Sequence, residues 1–148
     1  MESVYSQVMA FKKKYPGTIT HHRLRKHANI IEMHLNPGEV VLYAFAGQKN
    51  TKAYDIFETC VVAITNERIM IGQKRVLFGY FLNSITPDLY NDLQVRSGII
   101  WGGVTIDTVK EVIELSNISK SALPEIETQI TSYMMEAKKK YKEKGDFN

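Results

Sequence analysis

Apolar residues change their spacing twice along the chain. Val4, Val8, Phe11 and Tyr15 recur at helical intervals, which predicts a short helix over residues 3–15, started at Ser3 and stopped by Pro16-Gly17. A second helix is predicted from Thr20 to Leu35. Thr20 serves as its N-cap, Leu24, Ala28, Ile31 and Leu35 form its apolar face, and Asn36-Pro37-Gly38 ends it. From Glu39 the texture becomes strand-like. Val40 to Ala46, Thr59 to Ile64, Ile69 to Ile71, Val76 to Leu82, Asp92 to Ser97, Val104 to Ile106 and Val109 to Leu115 are short β-prone runs. Turn signals separate them: Thr65-Asn66-Glu67-Arg68, Gly72, Asn83, Gly98, Gly102-Gly103 and Asp107-Thr108. No helical segment intervenes, which argues against a parallel sheet built from βαβ units. Helical spacing then returns, with Leu123, Ile126, Ile130, Met134, Ala137 and Tyr141 on one stripe and Pro124 in the first turn.

The chain has 148 residues, of which 44% are hydrophobic and 24% charged. One domain with a genuine core is therefore affordable, and a disordered or low-complexity chain is excluded. The single cysteine, Cys60, forms no internal disulfide and lies in an apolar strand, so it reads as core. With no signal core and no apolar run long enough to span a bilayer, a cytoplasmic protein is expected. The net charge of +3 is unevenly spread. Residues 1–35 carry six basic and two acidic groups, whereas residues 36–118 carry seven and nine. A nucleic-acid binder concentrates basic residues on its main domain, so the distribution argues against that partner.

Seven strands followed by one amphipathic helix is the element order of the pleckstrin-homology (PH) superfold. The segments Pro37-Gly38-Glu39-Val40-Val41, Val62-Ala63-Ile64-Thr65-Asn66-Glu67-Arg68-Ile69, Ser84-Ile85, Gly98-Ile99 and Val104-Thr105-Ile106-Asp107, with the closing helix, resemble the bacterial PH-like domains of the YokE type. The resemblance covers about residues 36–142, and Thr86-Pro87-Asp88 departs from it, suggesting a bend or a sheet edge. The fold expected is mostly β with helices (α+β): a seven-stranded, partly open antiparallel barrel capped by a C-terminal helix and preceded by two N-terminal helices. The chain divides accordingly into a helical segment, residues 1–35, and a PH-like domain, residues 36–148. The resemblance implies a binding or scaffolding module rather than an enzyme.

Inositol-phosphate recognition by PH domains needs cations clustered around the first hairpin, because several phosphates must be met together. Lys49 and Lys52 fit that position, and Lys74 and Arg75 lie in the next hairpin but one. Against them, the strand from Glu58 to Ile64 holds no basic residue, and Asp55 and Glu58 repel phosphate, so a solvated loop is the simpler account. The densest basic patch is Arg23, Arg25 and Lys26, which suits an anionic partner or simply a solvated helix face. His27 and His34 share a helix face, but with no paired Cys and no His-Glu-x-x-His arrangement we expect no metal site. Lys138 to Lys140 complement the last helix's dipole. Trp101 is an exposed contact or a barrel-end packing anchor, and packing is the expectation. No catalytic motif is present and no cofactor is expected.

The leading expectation is thus a non-catalytic interaction module for a protein or peptide partner. A second copy is among the candidates, because open sheet edges invite strand pairing and the N-terminal helices can dock on a neighbour. The alternative is peripheral binding to anionic membrane lipid through basic loops and helix ends.

Overall fold

The computed structural model describes residues 3–17, 20–49, 58–75 and 78–146. Helices α1 (Val4–Lys14) and α2 (His21–Glu32) precede strands β1 (Val41–Lys49), β2 (Glu58–Thr65), β3 (Ile69–Lys74), β4 (Tyr80–Ile85), β5 (Tyr90–Ser97), β6 (Trp101–Thr108) and β7 (Val112–Ser119). A short 3-10 turn, Lys120–Ala122, leads into α3 (Leu123–Asp146). The strands form one antiparallel sheet in the order β4-β3-β2-β1-β7-β6-β5. β1 pairs with β2 along its length but meets β7 only at Gln48 and Lys49, and at that narrow seam the sheet curls into a half-barrel.

Side chains alternate across the pleat, so the sheet buries two different faces. Phe45, Val62, Ile71, Ile106 and Leu115 point inward, and the stripe Leu123, Ile126, Ile130 and Met134 of α3 closes over them. Each such side chain contributes about 1.5–3 kcal/mol by leaving water. The outer face of β1, β2 and β3 is also apolar, through Ala44, Val61 and Met70, and Val4, Val8, Leu24, Ala28 and Ile31 cover it. The N-terminal helices therefore pack on their own sheet, not on a neighbour. Gly72 sets how closely α2 approaches, since a Cβ there would lie 2.7 Å from Ile31 Cγ1 and 3.0 Å from the His27 carbonyl oxygen.

Local chemistry explains the helix starts. Ser3 Oγ accepts the Ser6 N–H at 3.1 Å and Thr20 Oγ1 accepts that of Arg23 at 3.4 Å. The Glu32 carboxylate, from the end of α2, accepts the Val4 N–H at the start of α1 and ties the two helices.

Several boundaries differ from the expectation. Leu35 lies beyond α2, packed at the edge of the outer cluster. The fourth strand is Tyr80–Ile85, which runs past the expected end at Leu82 with Asn83 inside it, and Val76 and Leu77 lie outside the described residues. A polar residue is tolerated there because its amide accepts from Lys49 Nζ at 3.2 Å and donates to Glu111 Oε1 at 2.7 Å. Asp107 and Thr108 belong to β6, and the turn falls one step later. Thr108 Oγ1 accepts the Glu111 N–H at 3.0 Å and donates to the Glu111 carbonyl at 2.7 Å, leaving Val109 exposed before β7. Thr86-Pro87-Asp88 forms the β4–β5 turn, and Gly102-Gly103 coincides with the irregularity in β6–β7 pairing.

Candidate functional site

The four cations expected to share a ligand do not all meet. Lys49, at the end of β1, and Arg75, just past β3, converge on the Phe81 ring, with Nζ 5.9 Å and the guanidinium carbon 4.7 Å from its centroid. They stand at the barrel end where β1, β3 and the β6–β7 turn come together. Asn83 links Lys49 to Glu111, so a carboxylate sits within this cationic mouth. Lys74 faces the other way. The register puts it on the outer surface with Met70 and Gly72, and its N–H donates to His27 Nδ1 at 2.8 Å. Period-2 alternation separates neighbours in sequence, which places Lys74 and Arg75 on different sides of the sheet. Lys52 lies outside the described residues.

The basic patch of α2 is exposed at Arg23, Arg25 and Lys26. Arg25 stacks over the Tyr5 ring at 4.7 Å, which commits it to holding α1 against α2. Arg23 and Lys26 flank His27, whose pKa falls to about 4 because burial disfavours its charged form and both neighbours repel it. His27 and His34 have separate partners. His34 Nδ1 lies 2.6 Å from the Ile30 carbonyl and Nε2 lies 3.0 Å from the Tyr80 hydroxyl. Among the described residues, no three His, Cys, Asp or Glu side chains converge as metal ligands would. Cys60 is fully buried.

Two concave surfaces were not anticipated. One is a small cleft between α1 and the end of β7, lined by Phe11, Tyr15, Leu24 and Ile118 together with Lys12, Gln48, Asn117 and Ser119, and rimmed by Trp101. Trp101 is 38% exposed rather than a packing anchor, and Ile99 and Ile100 beside it are 95% and 71% exposed. The tight β5–β6 turn thrusts these side chains outward. Gly98 N–H bonds the Trp101 carbonyl at 2.9 Å, and a Cβ on Gly98 would sit 2.7 Å from that oxygen. Three exposed apolar residues in a row at a turn were visible in the sequence as Ile99-Ile100-Trp101. The second concavity runs beneath the last turns of α3, where Leu42, Pro87 and Tyr141 face one another across a groove. The Tyr133 hydroxyl is buried against it with no hydrogen-bond partner among the described residues, and burial pushes its pKa up to about 12.

The Thr65-Asn66-Glu67-Arg68 turn, the most distinctive sequence feature, is a fold lock. Arg68 Nε and Nη2 bond the two carboxylate oxygens of Glu39 at 2.9 and 3.0 Å. Nη2 also reaches the His34 carbonyl at 2.8 Å, and Nη1 reaches Ser84 Oγ at 3.0 Å. Thr65 Oγ1 donates to Glu39 at 2.7 Å, and Asn66 Oδ1 accepts the Val40 N–H at 2.8 Å. One side chain thus ties the exit of α2, the approach to β1 and the start of β3 to the end of β4.

None of the described helices is long and apolar enough to cross a membrane. No curated protein matches the sequence. The bacterial PH domain family matches residues 35–132, a span from the exit of α2 through every strand and into α3. Seven antiparallel strands in a curled half-barrel, closed by a C-terminal helix, are what that family's fold requires, and the chain belongs to the bacterial PH domain family.

Proposed function

We propose that the chain is a non-catalytic interaction module that binds a protein or peptide partner through the β5–β6 turn and the cleft beside it. One observation carries this reading: Ile99, Ile100 and Trp101 stand exposed in sequence at the β5–β6 turn, and Trp101 rims the neighbouring cleft. Burying a Trp against a neighbouring pocket is how interfaces gain most of their energy. A cytoplasmic setting, supported by the lone buried Cys60, and membership of the YokE type, supported by the Thr65–Arg68 turn, belong to the same proposal.

The test is capture of partners from a cell extract on immobilised chain, compared with Ile100→Asp and Trp101→Ala. Losing an anchor at the centre of an interface costs about 2 kcal/mol or more, roughly 30-fold in Kd. The same partners held equally by both folded variants would refute this surface.

A second reading, peripheral binding to anionic lipid, is favoured by the convergence of Lys49 and Arg75 on Phe81. Co-sedimentation with anionic but not neutral vesicles is then expected. It should weaken as salt rises, because exposed charges are screened, and vanish in Lys49→Glu and Arg75→Glu. Vesicle binding that ignores both salt and these reversals would count against it.

A further inference from the structure

We propose that the segment bound at the β5–β6 turn is acidic as well as apolar: a peptide whose Asp and Glu side chains flank the residues that cover Ile100 and Trp101. This rests on the turn being the binding surface, and it names the chemistry of the partner. The apolar tip is ringed by cations. Three segments surround it and the cleft beside it: residues 11–17 at the end of α1, 96–103 across the turn, and 116–122 at the end of β7. Together they carry Lys12, Lys13, Lys14, Arg96 and Lys120, and no Asp or Glu. Lys14 is committed to Glu125 of α3. Lys120 Nζ donates only to the Ile99 carbonyl, at 3.2 Å, and Lys12 Nζ to the Gly17 carbonyl, at 3.3 Å. Arg96 lies across its strand partner Gly103, where a Cβ would stand 3.5 Å from Nη2. Side chains alternate along β6, so Arg96 shares this face with Trp101. Among the described residues, none of Lys12, Arg96 and Lys120 meets a carboxylate. The acids of these three strands, Asp92, Asp107 and Glu114, lie toward the opposite end of the sheet.

Such a ring selects its partner by charge. A carboxylate brought to Lys12, Lys120 or Arg96 forms charge-assisted hydrogen bonds, whereas a basic segment is repelled by all three. The shared sign also speeds the encounter with an acidic chain. An apolar tip ringed by cations suits an anionic bilayer too, and the cleft decides between the two. It opens where β1 leaves β7, whose pairing with β1 ends at Gln48 and Ser116. Gln48, Asn117 and Ser119 there set polar groups beside Phe11 and Ile118. Hydrocarbon laid over that wall would strip its polar groups of water and return no partner, whereas a peptide brings backbone N–H and C=O groups to them. A concave wall of mixed polarity beside an exposed Trp therefore matches a peptide, which lays one side chain in the cleft and rests its neighbours on Ile100 and Trp101.

Selection of a random-peptide library, displayed on phage, against the immobilised full chain tests this. Enriched peptides should carry Asp or Glu beside Leu, Ile, Phe or Trp. Made synthetically, they should bind the wild type and weaken as salt rises. Arg96→Glu and Lys120→Glu should each weaken them by about fivefold or more, the upper worth of an exposed charge pair. Ile100→Asp, which sets an acid on the tip, should abolish binding. Lys49→Glu, at the barrel mouth, should bind like the wild type. All variants change exposed side chains and should stay folded by circular dichroism. Peptides that need Trp101 but show no excess of acid, or that ignore both charge reversals, overturn this inference and leave the turn as a peptide surface. A library that yields no peptide, or peptides held equally by folded Ile100→Asp and Trp101→Ala, overturn the underlying reading as well. Phosphatidylglycerol vesicles that bind through Ile100, and from which no enriched peptide displaces the chain, assign the tip to lipid and overturn the inference likewise.

Discussion

Arg68→Ala should destabilise the fold by about 3–5 kcal/mol, read as a fall in the urea midpoint with an unchanged slope. The size of the effect comes from what the substitution leaves behind. Glu39 has no exposed side-chain surface, and Arg68 only 15%. Burial alone would raise the Glu39 pKa. The Arg68 guanidinium, the Asn36 N–H and the Thr65 hydroxyl more than offset that and hold it below its usual value. Removing the guanidinium strands a carboxylate with no counter-charge and frees the His34 carbonyl and Ser84 hydroxyl at once. The partner change distinguishes a stranded charge from lost packing. Arg68→Ala combined with Glu39→Gln should recover a good part of the loss, because a neutral amide is far cheaper to leave buried than a carboxylate. A drop below about 1 kcal/mol in the single variant would place the pair among the weak surface ion pairs and refute its role as a lock.

Much of the architecture was legible because periodicity reports burial directly. Val4, Val8 and Phe11 on α1, and Leu123, Ile126, Ile130 and Met134 on α3, are the residues that pack. The α3 stripe was read too far, however. Tyr141 is exposed because the helix outruns the barrel it plugs. Strand limits failed where a polar side chain finds a partner distant in sequence. Asn83 reads as a breaker until Lys49 and Glu111 are brought to it by the curl of the sheet. The same limit governs the site. That Lys49 and Arg75 meet over Phe81 depends on which face each residue occupies, and one residue's shift sends Lys74 to the opposite side. Glu39 lies in the Pro37–Val41 segment that carries the family resemblance, and nothing in the sequence signals its burial against Arg68. His27 carried a usable signal. It follows Leu24 by three positions and adjoins Ala28, so the apolar stripe of α2 runs through it.

Acid should loosen the N-terminal helices before it unfolds the barrel, through His27. Its Nδ1 accepts the Lys74 N–H, so protonation there sets one donor against another. Burial, then Arg23 and Lys26, lower its pKa from 6.5 to about 4, and the partner its ring finds among the described residues is a donor. The folded state therefore binds fewer protons than the unfolded chain across this window. The stabilisation is complete above about pH 6.5, declines as pH falls, and is lost below about pH 4. At about 1.4 kcal/mol per pKa unit the full span is about 3 kcal/mol, of which the fraction down to pH 5 is accessible before most carboxylates titrate. Hydrogen exchange of α2 amides at pH 7 and pH 5 reads it locally. Faster exchange at pH 5 is expected in α2, after correction for the intrinsic rate, with β2 and β7 unchanged. His27→Gln keeps an acceptor for the Lys74 N–H without titrating, so it should flatten the pH dependence. Gly72→Ala should instead loosen α2 equally at both values, by about 1–3 kcal/mol, because its Cβ displaces Ile31 whatever the pH. Equal pH sensitivity in the wild type and in His27→Gln would show that the acid response arises elsewhere, and would sink the assignment to His27.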